Sequence, residues 1–362
     1  MSETKPIKSD LDNSKKKFDV GSWLIPIIAV FVALFVCGIL IKLQGLDPIV
    51  AYRSLFKSAF GSLEGIGVTL AKATPLVLAG LAVAVGLRAG LFNIGAQGQL
   101  LSGALAAAWA GVTFDGLPGY IHIPVALIIG AFFGSLVAAI SGLLKAYRGV
   151  HEVITTIMLN SIVMAVADYL ASGRLREPGQ FLTRTSEISE EARLPFFGSF
   201  PSGFFFAVIL GVFIWWVLGR TTSGFRIETV GRNRHAAWYS GIPVKRTVIS
   251  AMVISGAIAG LGGAIETLGI TYRYEPAFNL GLGFDGITIA LLGRVHPIGI
   301  IPGAILIGGM RAGASTMQFD AGVAPEIVDL LMALILLFVT APLITRFFKN
   351  SSNKSVTSGW GN

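Results

Sequence analysis

Charged residues are scarce in this sequence. Of its 362 residues, 13% are Asp, Glu, Lys or Arg, whereas 53% are hydrophobic. A soluble domain carries about 25% charged residues, so this chain lacks the material for a fully hydrated surface. The composition therefore predicts an integral membrane protein. Its 45 glycines would allow the close approach of helices that a polytopic bundle needs.

Cysteine and histidine are also scarce. The single cysteine, Cys37, cannot form a disulfide within the chain, and a cysteine metal site is excluded. The four histidines are scattered without the spacing of metal ligands, which argues against a metal centre. No Ser/His/Asp or Cys/His set can be assembled from the sequence, so we expect a protein that is not an enzyme.

Nucleotide-binding motifs are either missing or out of context. No Gly–Lys pair occurs, so there is no P-loop, and any ATP that drives this protein must bind another chain. The segment Gly281–Gly286, GLGFDG, matches G-x-G-x-x-G but follows no strand and belongs to no βαβ unit. The net charge of +8 comes from Lys and Arg residues, which in a membrane protein concentrate in the loops and anchor them. We expect no cofactor on this chain and no nucleic-acid partner.

A basic segment, Arg220–Arg246, interrupts the apolar second half of the chain. It holds six Lys or Arg residues and one acid, Glu228. Short loops rich in Lys and Arg stay on the cytoplasmic side, so this segment predicts the orientation of the whole chain. Gly231, Gly241 and Pro243 predict one short helix over Arg232–Ser240. Either the segment docks a cytoplasmic partner, or it is a solvated basic loop that only orients the protein.

Apolar runs predict an all-α polytopic bundle of about ten membrane spans. Both ends of the chain are then cytoplasmic, and most of the 28 Lys and Arg residues lie on that side. Residues 1–20 and 347–362 are expected to be cytoplasmic tails, residues 21–346 the membrane domain, and residues 172–202 an external loop. The predicted spans are Trp23–Ile41, Pro75–Leu87, Leu100–Val112, Ile121–Leu144, Val153–Leu170, Phe204–Leu218, Val248–Ile270, Asp285–Leu292, Pro297–Met310 and Val323–Thr345.

Two polar stretches separate the predicted spans on the outer side. In Asp47–Thr74, the residues Tyr52, Leu55, Phe56, Ala59 and Phe60 share one helical face, which predicts an amphipathic helix at the outer interface. The pair Thr74–Pro75 is a helix-start signal and would open the second span. Residues Thr271–Phe284 are expected to form a second outer loop.

Several polar residues fall at membrane depth, where they are costly unless they are paired or face a wet cavity. The glycine-rich stretch Gly86–Ala104 holds three of them and predicts a broken or re-entrant element. Each of these residues could line a translocation pathway, or could form hydrogen bonds that hold the bundle together; Glu152, with His151, could instead cap a helix. The candidate pathway residues are Asn93, Gln97, Gln99, Glu152, Asn160, Glu266 and Asp285.

Four segments resemble one family of membrane proteins. The stretch Ala73–Ala107 is similar to the RAGLFNIGAEGQ region of ABC importer permeases, and His151–Asn160 is similar to their NEVISTLMLN segment. Gly224–Ile242 resembles GFRLRAVGLNPRAARYAGI, and Gly281–Pro297 resembles GYGFTAIAVALLGRLNP. The resemblance runs from about residue 52 to residue 345. It is strongest to the branch that works with basic-membrane-protein-type lipoproteins and imports nucleosides.

The resemblance implies an importer made of several chains. A cytoplasmic ATPase would bind ATP, a second permease subunit, homologous or identical, would pair with this chain in the plasma membrane, and an extracytoplasmic lipoprotein would deliver the nucleoside. The basic segment would hold the coupling helix, seated in a groove of the ATPase. The residues that the resemblance assigns to this contact are Gly231, Arg232, Asn233, Arg234, Ala236, Ala237 and Gly241.

The sequence departs from the family pattern at three positions. Gln97 stands where the family has Glu, His151 where it has Asn, and His296 where it often has Asn. Ribose or another sugar is an alternative substrate. A different class, a standalone transporter coupled to H⁺ or Na⁺, would use Glu266, Asp285 or Asp329 as its coupling carboxylate.

Overall fold

Helices make up most of the part of the chain that the structure describes. The computed structural model describes residues 20–276 and 281–352, and side chains over 26–276 and 281–340. A π-helical turn follows α5 and another follows α10, and one two-stranded hairpin pairs Phe196–Phe197 with Phe200–Pro201. The helices are α1 (Val20–Leu43), α2 (Pro48–Phe60), α3 (Leu63–Arg88), α4 (Ala96–Thr113), α5 (Gly119–Leu143), α6 (Glu152–Ser172), α7 (Ser202–Arg220), α8 (Thr222–Arg232), α9 (Arg234–Tyr239), α10 (Val244–Glu266), α11 (Leu282–Leu292), α12 (Pro297–Ala321) and α13 (Glu326–Ser352).

The predicted helical membrane bundle is confirmed. Among the described residues, seven helices are long and apolar enough to cross a membrane, namely α1, α3, α5, α6, α7, α10 and α12. The other predicted spans fall on α4, α11 and α13. Residues 1–19 and 353–362 of the expected tails lie outside the described part of the chain, whereas residues 347–352 continue α13.

The predicted helix start at Thr74–Pro75 is wrong. Pro75 lies inside α3, which begins at Leu63. The Ser62 hydroxyl caps that helix by accepting a hydrogen bond from Gly65 N at 3.0 Å. Proline is tolerated within a membrane helix because neighbouring groups satisfy the freed backbone. The central helix of the bundle is therefore about twice as long as its apolar run suggests, and it carries the half-buried Lys72.

The helix α2 is amphipathic as predicted, but its apolar face packs on protein rather than on the lipid interface. Leu55 and Ala59 are buried. The α12 helix approaches so closely that a Cβ added at Gly313 would overlap the carbonyl of Leu55. Tyr52 donates a hydrogen bond to Leu34 O of α1 at 2.6 Å. These contacts fix α2 between α1 and α12.

Glycines bring α4, α5 and α10 into backbone contact. A Cβ at Gly103 of α4 would overlap the carbonyl oxygen of Gly260 on α10, and a Cβ at Gly260 would overlap the carbonyl of Gly130 on α5. Such contacts replace the hydrophobic effect as the source of helix association in lipid, because close approach maximises van der Waals packing. This three-helix contact holds the middle of the bundle.

Substituting Gly103 by Leu should therefore destabilise the bundle by about 3 kcal/mol or more, because backbone must move to admit the side chain. The matched control is Gly219→Leu, since Gly219 is exposed and an added Cβ would meet no atom within 4 Å. Thermal unfolding of the detergent-purified protein should show a large loss for the first variant and almost none for the second. Equal stability of the two variants would contradict the packing described here.

The loop between α6 and α7 lies at the end of the bundle opposite the basic segment. Two of its acids, Glu177 and Glu187, bind Arg273 at 3.3 and 3.0 Å, and Glu177 also binds Arg184 at 2.6 Å. This network ties the loop to the turn that follows α10. The expected second outer loop is shorter than predicted, because α11 already begins at Leu282; residues 277–280 lie outside the described chain.

Candidate coupling surface and substrate cavity

The basic segment forms two helices, so the prediction of one helix over Arg232–Ser240 is wrong. The α8 helix runs through Gly231, and Asn233 then breaks the chain direction. The Asn233 side chain accepts hydrogen bonds from His235 N and Ala236 N, each at 3.0 Å, and so caps α9. Asparagine is a preferred N-cap residue, so Asn233 was the signal for the start of α9. The prediction placed the helix boundary at Gly231 instead. Gly241 adopts a left-handed conformation with φ of +76° after α9, as a helix-terminating glycine does.

The seven expected coupling residues divide into an exposed set and a packed set. Ala237 is fully buried, and a Cβ at Gly231 would overlap the carbonyl oxygen of Arg88. These two residues hold the segment against the bundle. Two large side chains that were not assigned to the contact, Trp238 and Tyr239, are 65% and 81% exposed. The exposed members of the expected set are Arg232, Asn233, Arg234, Ala236 and Gly241.

We call the exposed face of Arg232–Gly241 the coupling surface. Its cations and aromatic rings are the residue types that dominate protein interfaces. The Trp238 and Tyr239 rings contact each other edge to face at 5.0 Å between centroids. The short capped helix α9 thus presents exposed aromatic and basic side chains.

Arg88, at the end of α3, joins this segment to the turn between α11 and α12. Its guanidinium lies 3.7 Å from Glu228 of α8, and its Nε donates to Val295 O at 3.1 Å. The neighbouring His296 is half-buried; burial, followed by the charge of Arg88, lowers the pKa of its imidazole. Arg88 thus connects the coupling segment to α11, whose far end carries Asp285.

Three of the expected pathway residues, all amides, make hydrogen bonds between elements. Asn93 donates to Gln99 Oε1 at 2.8 Å and to Ser255 Oγ at 2.7 Å, and it accepts from Gln99 Nε2 at 3.0 Å. Asn160 of α6 accepts from Gly98 N at 2.8 Å and donates to Ile94 O at 3.0 Å. These three amides are buried and join the α3–α4 turn to α4, α6 and α10. Their contacts match the second role considered above, hydrogen bonds that hold the bundle together.

Gln97 and Glu152 also contact protein. Gln97 Oε1 accepts from Gly283 N at 2.7 Å, which joins the start of α4 to the start of α11. Glu152 forms an ion pair with Lys145 at 2.6 Å, near the basic end of the bundle. The glycine-rich break predicted in Gly86–Ala104 is present, but it is confined to the turn between α3 and α4.

A polar cavity of about 330 Å³ lies between five helices. Lys72 is 16 residues from the basic end of α3, and Arg311 is 14 residues along α12, so the cavity is about 20–25 Å from that end. A hydrocarbon core is about 30 Å thick, which places the cavity towards the opposite side. Its lining residues are Lys72, Pro75, Glu266, Leu282, Arg311, Ala314, Pro325, Glu326, Val328 and Asp329.

Of the expected pathway carboxylates, Glu266 lines this cavity, and Asp285 pairs with a lining residue, Arg311. Asp285, in the first turn of α11, forms an ion pair with Arg311, and Asp329 lies 4.0 Å from the same guanidinium. Glu266 ends α10 and is 2% exposed. Lys72 and Arg311 were expected outside the spans, because the apolar runs end at Pro75 and Met310. Both helices extend beyond those runs, and this extension places the two half-buried cations on the cavity wall.

The α11 helix is a half-helix of about 16 Å, half the thickness of a bilayer core. It begins beside the cavity at Leu282 and ends beside Arg88 at the basic end. The positive end of its dipole favours the nearby Asp285 carboxylate. Half-helices that point into a polar site are typical of transport pathways.

Comparison with known proteins agrees with this architecture. Residues 65–340 match the family described as branched-chain amino acid transport system / permease component. The guanosine ABC transporter permease protein NupP of Bacillus subtilis (strain 168) is 40% identical over 91% of this chain and 97% of its own length. The nucleoside ABC transporter permease protein NupB of Lactococcus lactis is 37% identical over 89% of this chain and 91% of its own. The glucose ABC transporter permease protein TsgB13 of Haloferax volcanii is 33% identical over 91% of this chain and 90% of its own.

This chain belongs to the family of transport-system permease components. It is a multi-pass membrane protein and a transport subunit, not an enzyme. The resemblance read from the four sequence segments is confirmed.

Proposed function

We propose that this permease imports nucleosides as the membrane subunit of an ABC importer. ATP binds and is hydrolysed on a separate cytoplasmic subunit that seats on the coupling surface. A second permease subunit completes the pathway, and an extracytoplasmic lipoprotein delivers the substrate. The basic end of the bundle and both termini are cytoplasmic, because Lys and Arg concentrate there.

The observation that carries this proposal is the continuous connection from the coupling surface to the cavity. Arg88 contacts both Glu228 of α8 and the turn after α11, and α11 leads to the Asp285–Arg311 pair. A tilt of the coupling segment would therefore be passed to the helix that borders the cavity. A rigid element that can adopt two arrangements can switch access to a cavity from one side of the membrane to the other.

The proposed substrate follows the two most similar relatives named above, which are named for guanosine and for nucleosides. The relative named for glucose supports the alternative of a sugar. A cavity of about 330 Å³ with polar and apolar walls fits a small neutral ligand of either kind.

A second candidate is a standalone transporter driven by an ion gradient. The convergence of Glu266, Asp285 and Asp329 near one cavity favours it, since carboxylates at membrane depth can carry protons or Na⁺. This candidate requires activity from the purified chain alone and sensitivity to uncouplers at constant ATP. The importer requires an ATPase and is insensitive to uncouplers when ATP is maintained.

The test of the importer is uptake of radiolabelled guanosine, adenosine and uridine in cells with and without this gene, with ribose and glucose as competitors. We expect deletion to abolish nucleoside uptake, and depletion of ATP to do the same in the parent strain. Loss of sugar uptake with intact nucleoside uptake would assign the transporter to the sugar. Uptake by the reconstituted chain without an ATPase would overturn the importer.

A further inference from the structure

Glu266 has an unusual environment in the cavity. It is the last residue of α10, it is 2% exposed, and it lines the cavity between α3, α11 and α12. Its Oε2 atom has no hydrogen-bond partner among the described residues. Burying a carboxylate oxygen without a hydrogen bond is costly, so natural proteins keep such a group where a ligand or a proton satisfies it.

The nearest guanidinium is already engaged elsewhere. Arg311 forms its ion pair with Asp285 and lies 4.0 Å from Asp329. Lys72 stands on the same cavity wall and supplies positive charge near Glu266. The lining holds three acids and two bases, so it offers no excess of positive charge to a phosphate. A neutral ligand is favoured over a nucleotide.

The chemistry of Glu266 then defines what that ligand presents. The carboxyl group of Glu266 has two oxygens, which can form hydrogen bonds to two neighbouring hydroxyls at once. The other walls near it include Pro75, Leu282, Ala314 and Val328, which suit an apolar or aromatic face. The group that matches Glu266 is a vicinal diol, which a ribose ring and a free sugar both carry.

We propose that Glu266 binds the vicinal hydroxyls of the substrate and makes this permease select for a ribose ring rather than for a particular base. The inference rests on the proposed function, because it assigns a recognition role within that transport cavity. It places one layer of selection in the membrane, in addition to any selection by the delivering protein.

The test compares uptake of guanosine with uptake of 2′-deoxyguanosine and 3′-deoxyguanosine in cells that carry wild type, Glu266→Gln or Glu266→Asp. All strains share one delivering protein, so the change in the guanosine-to-deoxyguanosine ratio isolates the permease. Leaving a buried hydrogen-bonding group without its partner costs about tenfold or more in binding, so we expect the guanosine-to-deoxyguanosine ratio to fall by about tenfold from wild type to Glu266→Gln. Glu266→Asp should retain part of the ratio, since it keeps the carboxylate.

A matched control is Glu64→Gln, because Glu64 is exposed in the first turn of α3, outside the cavity. It should leave the ratio unchanged. If Glu266→Gln lowers uptake of all three nucleosides equally, the residue is structural and the proposal is wrong. If Glu266→Gln changes neither uptake nor the guanosine-to-deoxyguanosine ratio, the proposal is also wrong. If Glu266→Gln does not reach the membrane, the Glu266→Asp ratio decides, and a ratio equal to wild type overturns the proposal.

Failure of the proposed function would appear differently. In that case wild-type cells would take up no nucleoside, and the same comparison would be made with ribose and 2-deoxyribose. A ratio that depends on Glu266 would then support recognition of the diol in a sugar. A ratio independent of Glu266 would contradict the inference for either source.

Discussion

Ala236→Asp should abolish nucleoside uptake while the protein still reaches the membrane. Ala236 is exposed on the coupling surface, between two arginines and two exposed aromatic residues. A carboxylate at the centre of a protein interface must lose its hydration without a matched partner. The loss at a central interface position is commonly 2 kcal/mol or more, which corresponds to about thirtyfold weaker docking. Uptake of radiolabelled guanosine and co-purification of the ATPase would measure it.

The control for this variant is Ser223→Asp, an equal charge change at an exposed position in the first turn of α8. It should retain uptake and ATPase co-purification. Ala237 and Gly241 are poorer test positions, because Ala237 is fully buried and Gly241 has a φ of +76°. A substitution there would disturb the segment itself. Wild-type uptake by Ala236→Asp would overturn the assignment of the coupling surface.

Asp285→Ala should both destabilise the bundle and abolish transport. The change leaves the Arg311 guanidinium partly buried without its carboxylate partner, since Asp329 is more distant at 4.0 Å. Removing one member of a buried pair typically costs about 3 kcal/mol or more. Thermal unfolding in detergent and guanosine uptake would measure the two effects.

Replacing both partners separates stability from transport. In the double variant Asp285→Leu with Arg311→Met, neither member of the pair is left without the other, so most of the lost stability should return. Transport should stay low, because Arg311, which lines the cavity, is replaced by an uncharged side chain. Recovery of wild-type uptake in the double variant would show that the pair is only structural.

The coupling segment shows how far local signals reach. Its charge, its flanking apolar runs and its helix-breaking residues predicted an exposed basic element at one end of the bundle. The same signals misplaced the helix, because Gly231 was taken as a helix boundary although it packs against a residue distant in the sequence. A glycine stands at position 231 because α8 contacts the Arg88 carbonyl there, not because the helix ends there.

The helix ends at the cavity show where local signals fail. Apolar runs stop at Pro75 and Met310, so Lys72 and Arg311 were predicted to lie outside the spans. In the structure, α3 begins at Leu63 and α12 ends at Ala321. Both cations therefore lie within helices, where they line a polar cavity. A hydropathy pattern records the preference for lipid and cannot show that a helix face looks onto protein.

The sequence by itself determined that this chain is a helical membrane permease, which end of the bundle carries the positive charge, and which segment presents exposed basic side chains there. These properties depend on composition and on residues close together in the chain. Only the tertiary structure decided which polar residues bind neighbouring helices and which face the cavity. Asn93, Gln99 and Asn160 find hydrogen-bond partners on other elements, whereas Glu266 faces a cavity. Every polar group at membrane depth must be satisfied, but whether protein or ligand satisfies it depends on how distant helices pack.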